Sequence, residues 1–221
     1  MDNTTRLQYL SAMGIDAWVP RATEENAAAE SLATEVEVDN WEKLQTEMAV
    51  CQQCDLAQSR HQVVLGSGNQ HADFLWVTEA PSQEDDQQGV PFADHSGELL
   101  TEMLRAMRFS REEVFITHIV KCRPPEDRDP RVKELEACEH YLQRQIALVQ
   151  PKIIIAVGRI AAQKLLHNKA PLAELRESEH EFSGIPLLAI YHPAYLLRSL
   201  TEKSKAWQDM QRALTLFEKI K

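Results

Sequence analysis

Four cysteines, two histidines and one dense run of acids are the residues of this 221-residue chain whose types and spacing can do chemistry. Cys51 and Cys54 form a C-x2-C pair, and Cys122 and Cys138 follow with fifteen residues between them. Four thiolates suit a [4Fe–4S] cluster. They also suit a structural zinc ion, although zinc usually takes two tight knuckles and the second pair here is not one. A third reading leaves Cys122 and Cys138 as ordinary buried thiols. Spacing alone leaves all three open.

The acids follow the apolar run DFLWVT (73–78). The stretch TEAPSQEDDQQGVPFADHSGELL holds Glu79, Glu84, Asp85, Asp86 and Asp94 within sixteen residues, shaped by Pro81, Gly89 and Pro91. Several of these acids belong to a solvated loop. Glu79 differs, because it sits directly at a strand end, where a fixed carboxylate can orient a water or act as a base. Phe92 is an aromatic in a polar loop and can stack on a planar ring. HPAYLLR (192–198) follows the last apolar run. There His192, turned by Pro193, can donate a hydrogen bond to a leaving group, although a lone histidine is more often structural. Leu196 and Leu197 are either a wedge for a base stack or ordinary helix packing.

These residues need a frame. Short apolar runs without helical period, DFLWVT (73–78), VFITHIV (114–120), KIIIAVG (152–158) and PLLAIY (186–191), predict buried parallel strands. Helical patterns lie between them: ELLTEMLRAMR after Ser96-Gly97, a long one from Asp129-Pro130 through Val149, and RIAAQKLLH after Gly158. A last helix runs from about Thr201 to Ile220. The alternation predicts a three-layer α/β/α sandwich around a central four-stranded parallel sheet. In such sheets functional loops sit at the carboxyl ends of the strands, which is where every motif above falls.

Composition sets the bounds. The net charge is −10, but residues 1–48 carry ten acidic against three basic side chains, and residues 49–221 carry 24 against 21. A near-neutral body can present a local basic face, so charge leaves nucleic-acid binding undecided. No apolar run approaches the roughly 18 residues of a membrane span, and the first residues lack a secretory leader pattern. The chain therefore reads as cytoplasmic, with no membrane partner, and in a reducing compartment its cysteines read as ligands rather than disulfides.

Taken together, CQQC, QVVLGSGNQHADFLWV, EAPSQEDDQQGVPF, KCRPP, PKIIIAVG and HPAYLLR resemble the family 4 uracil-DNA glycosylases, from about Trp41 to the C-terminus. The resemblance implies a uracil-DNA glycosylase-like fold over residues 41–221. It also implies a [4Fe–4S] cluster on Cys51, Cys54, Cys122 and Cys138, with zinc the alternative. The implied activity is base excision repair, in which a flipped uracil is released from DNA by hydrolysis of its N-glycosidic bond. Phe92 takes the stacking position and His192 the position that stabilises the departing uracil anion. Glu79 and Asp85 are the candidates for placing water or supporting the cationic sugar. Ser82 and His118 count among the substrate-facing residues, and Leu196, Leu197 and Arg198 among those meeting DNA. The implied enzyme is a monomer.

Three departures stand out. Thr78 and Ser82 replace glycines that the family usually places on either side of EAP, and a side chain there can crowd the pocket. Asp85 is one methylene shorter than the usual Glu. His118 stands where the family commonly has Asn, whose amide offers both a donor and an acceptor to uracil. His118 therefore has three readings: an altered reader of uracil, a reader of another deaminated base, or the mark of a catalytically silent protein that binds DNA or the replisome. At the other end, RLQYLSAMGIDAWVPR is similar to the opening of the DNA polymerase III psi subunit. That implies a docking peptide (1–22) that meets the chi subunit through residues 6–21, followed by an acidic flexible linker (23–40).

Overall fold

The computed structural model describes residues 12–14 and 40–220. The docking peptide and acidic linker expected before residue 41 thus lie, but for residues 12–14 and 40, outside the described residues. The fold is that of the unit Asp39–Lys221. It opens with α1 (Trp41–Ala49), capped by the Asn40 side chain, which accepts the Lys43 N–H at 2.8 Å, and the single turn α2 (Leu56–Ser59). Next come β1 (Ser67–Gly68), β2 (Phe74–Thr78), α3 (Gln83–Gln88), α4 (His95–Ala106), β3 (Phe115–His118) and a 3-10 turn, Pro125–Asp127. Then follow α5 (Val132–Val149), β4 (Ile153–Val157), α6 (Arg159–Leu165), α7 (Leu172–Leu175), β5 (His180–Phe182) and β6 (Ile185–Ile190). The described chain closes with α8 (Pro193–Arg198), a 3-10 turn at Leu200–Glu202, and α9 (Lys203–Ile220).

The strands form one sheet in the order β1-β3-β2-β4-β6-β5. Its centre, β3-β2-β4-β6, is the expected set of four parallel strands. The sheet is nonetheless mixed and six-stranded, because β1 and β5 add antiparallel edges. Those edges span two and three residues, too short to leave a periodic pattern. Every residue of β2 and β4 is buried, since helices cover both faces.

Alternation along the strands sorts the core into two halves. Leu75, Val77, Ile154 and Ala156 pack against α1 and α5 through Leu44, Met48, Tyr141 and Leu142. Phe74, Trp76, Ile155 and Val157 pack against α4 and α9 through Leu100, Leu104, Met210 and Phe217. Phe92 belongs to this second half. Among the described residues no helix is long and apolar enough to cross a membrane.

Candidate active site and cysteine cavity

The carboxyl ends of β2, β3 and β6 bring the predicted site residues together. Thr78 ends β2 and is register partner to His118, which ends β3. Both lie two residues beyond Trp76 and Ile116, so they point to the face that also holds Phe92. His192 follows β6 and caps α8, its Nδ1 accepting the Ala194 N–H at 3.2 Å. Nδ1 is therefore unprotonated and the hydrogen is on Nε2, with Nε2 lying 3.1 Å from the Thr78 hydroxyl oxygen. Burial, helped by nearby His118, pushes the His192 pKa down to about 4. The ring is neutral at pH 7 and presents one N–H donor. It faces the Phe92 ring at 5.4 Å and 28°.

Phe92 is held from three sides. Its backbone is left-handed at φ 54°, a conformation uncommon outside glycine, so the neighbours must enforce it. Arg111 donates to the Pro91 and Phe92 carbonyls at 2.6 and 3.2 Å. Asp85 accepts the Ala93 N–H at 2.7 Å. Gly97, in the first turn of α4, packs so close that a Cβ there would overlap the Phe92 carbonyl. Neither Arg111 nor Gly97 stands out in the sequence as part of a site, because their role depends on contacts across the fold.

The departures noted in the sequence take on structural roles. Ser82 is the N-cap of α3, in a capping box with Asp85. The stretch after Pro81, expected to be loop, is helical for that reason, and an S-x-x-D signature announced it. Asp85 is 4 % exposed and accepts from Ser82 N, Ala93 N and His118 Nε2. Those donors, the His118 imidazole first among the groups opposing burial, lower its pKa, so it is a carboxylate that holds the loop. Asp86 turns the other way and accepts the His61 N–H at 2.9 Å. Asp94 caps α4. Thr78 supplies the hydroxyl that meets His192.

Glu79 lines the groove at this end of the sheet, as do the exposed Glu84 and the half-buried Asp94. One oxygen accepts the Ile160 N–H at 2.8 Å, and burial raises its pKa. Its approach needs Gly158, where a Cβ would stand 2.5 Å from Glu79 Oε1. Glu79, Ser82, His192 and Arg198 all line a groove of about 680 Å³, within the range of ligand sites. Arg128 and Arg159 also line it, each paired with a carboxylate: Glu134 at 2.6 Å and Asp129 at 2.7 Å. The expected DNA-facing trio divides. Leu196 is 1 % exposed and packs in the core, so it cannot wedge, whereas Leu197 is 42 % exposed and Arg198 lies on the surface.

On the other face of the sheet, Cys51, Cys54, Cys122 and Cys138 line one small cavity with Met48, Val63 and Tyr141. The first pair comes from the segment between α1 and α2, Cys122 from beyond β3, and Cys138 from α5. The Arg60 guanidinium donates to Cys122 Sγ at 3.1 Å and the Lys121 N–H to Cys138 Sγ at 3.3 Å. Among the described residues no three Cys, His, Asp or Glu side chains converge on a point fit for a single ion. The buried Lys121 ammonium donates to His118 O, Thr117 Oγ1 and Gln145 Oε1 at 2.5, 2.7 and 2.6 Å.

Comparison with known proteins agrees with this geometry. Residues 65–211 match the profile of the uracil DNA glycosylase superfamily. The chain is 39 % identical over 160 residues to the type-4 uracil-DNA glycosylase of Archaeoglobus fulgidus, covering 68 % of this chain and 80 % of that protein. It is 35 % identical over 173 residues to the type-4 enzyme of Thermotoga maritima, covering 76 % and 90 %. A type-5 uracil-DNA glycosylase from Thermus thermophilus is 30 % identical over 171 residues, covering 66 % and 74 %.

Proposed function

The chain belongs to the uracil DNA glycosylase superfamily, and we propose that it excises uracil from DNA with Phe92 and His192 as its working pair. Its relatives are named type-4 uracil-DNA glycosylases, and the chain is a hydrolase of that kind acting in DNA repair. The observation that carries the mechanism is the neutral His192, fixed with its hydrogen on Nε2 beside the Phe92 ring.

A uracil in stacked DNA is out of reach, so the nucleotide must flip outward into the pocket. Its ring stacks on Phe92, and His192 shifts along that ring to make room. The N-glycosidic bond breaks with its electron pair leaving on uracil N1, delocalised onto O2. The Nε2–H of His192, released from Thr78, donates to O2 as that charge develops, where a placed donor has most effect. Water adds to the sugar C1′ and releases a proton to solvent while the uracil anion takes one up, leaving an abasic site and free uracil. Glu79, on the groove wall and anchored at one oxygen by Ile160 N–H, is the group that orients the water or supports the cationic sugar. Asp85 keeps Phe92 and His118 in place instead. Arg198 and Leu197 face the DNA strand.

The cysteine cavity fits a [4Fe–4S] cluster held by Cys51, Cys54, Cys122 and Cys138. Four thiols surround one cavity, and N–H donors meet two of the sulfurs. When bound, such a cluster staples α5 to the segments on either side of β3. The cytoplasm, where thiols stay reduced, suits it.

The test incubates the full chain, purified without oxygen, with single- and double-stranded oligonucleotides carrying one uracil. Free uracil and an alkali-labile abasic site are expected. An intact strand in both formats would overturn the reading.

A further inference from the structure

His118 occupies the position from which a base edge is read, yet its ring cannot offer both a donor and an acceptor. Its Nε2 lies 3.2 Å from Asp85 Oδ2. An ionised carboxylate only accepts, so Nε2 must carry the hydrogen. Asp85 has no freedom to turn away, because Ser82 N and Ala93 N hold its oxygens as well. The His118 side chain is 1 % exposed, and burial lowers its pKa despite the carboxylate, so the ring is neutral. What remains is Nδ1, a bare lone pair, buried without a protein partner. An unpaired buried acceptor is costly, and such atoms in native proteins call for an explanation.

Resting on the excision reading above, we infer that His118 Nδ1 is the acceptor for the imino N3–H of the flipped base, and that this single bond separates uracil from cytosine. Uracil presents O2, N3–H and O4 in order along its edge. With His192 on O2, the next atom is N3, and its hydrogen meets the empty acceptor. Cytosine has a lone pair at N3, which would face the Nδ1 lone pair with no proton between them. The discrimination arises at N3, and His118 contributes nothing at position 4. Asp85 is the positioning residue that sets the tautomer. Asparagine would instead contact both N3 and position 4, so this chain should tolerate a change at position 4 that an asparagine reader would not.

The test is a set of single-turnover excision rates by the full-length, cluster-loaded chain and its His118→Ala and His118→Asn variants. The substrates are DNA carrying uracil, 3-deazauracil (C–H in place of N3–H) or 4-thiouracil. Comparing each analogue's penalty with its penalty in His118→Ala removes the analogue's own leaving-group effect. We expect the wild type to lose roughly tenfold more than His118→Ala on going to 3-deazauracil. On 4-thiouracil the wild type and His118→Ala should pay the same penalty, with an excess only in His118→Asn. Equal 3-deazauracil penalties in wild type and His118→Ala, or an excess 4-thiouracil penalty in the wild type, would overturn the assignment while leaving uracil excision standing. No uracil release by the wild type would overturn both.

Discussion

In the proposed mechanism the chemistry of the site turns on the protonation of two histidines. His192 has its pKa pushed down to about 4, first by burial, against an unfolded value near 6.5. The sign follows from linkage: the unfolded chain binds the extra proton between about pH 6.5 and 4, so stability falls as the solution is acidified through that window. His118 shifts in the same direction. Catalysis should therefore show no histidine limb near neutrality. In single-turnover profiles of Glu79→Gln, which removes the one groove carboxylate with a raised pKa, the rate is expected to be flat from about pH 8 to 6. A rate that falls as pH rises through about 6.5 in that variant would mean that His192 works as a charged group. Thr78 gains a contact that the sequence does not reveal. As a replaced glycine it suggests crowding, but its hydroxyl lies 3.1 Å from His192 Nε2.

At the scale of elements, the site depends on how α3 and α4 hold the segment between them. The left-handed Phe92 backbone fits only because Gly97 lets α4 pack directly beneath it. Gly97→Ala is expected to destabilise the fold by about 1–3 kcal/mol, as overpacking does, and to slow excision by more than its stability loss explains. Denaturant midpoints and single-turnover rates on the same preparation separate the two effects, and an unchanged rate would argue that Phe92 is not held from below. The four parallel strands and the four main helices were legible in the sequence, because buried runs and amphipathic periods persist over five or more residues. The edges β1 and β5 were not, being two and three residues long. The cysteines could be grouped by spacing. Arg60, Arg111 and Lys121 could not, since each acts through contacts distant in sequence or on backbone atoms. Leu196 and Leu197 are adjacent in sequence, and only the helix α8 decides which faces inward.

For the whole molecule, the two faces of the sheet carry different duties joined at the end of β3. Lys121 ties His118, on the Phe92 face, to Gln145 of α5, which also carries Cys138 on the cysteine face. Metal binding to such a cavity is folding free energy. Cys138→Ser is expected to lower iron content and cost about 4 kcal/mol or more of stability, read from iron analysis and denaturant midpoints. Full iron and an unchanged midpoint would contradict the staple role, and one zinc per chain without iron would replace the cluster by zinc. In the proposed mechanism the excision chemistry rests on the neutral His192 donor beside Phe92. The most direct measurement is the single-turnover rate of uracil release by the wild type against His192→Ala, at saturating enzyme and pH 7.5. The account predicts a loss of roughly 10²–10³-fold, the range for removing one placed donor at a developing anion. A rate within a few-fold of the wild type would contradict it.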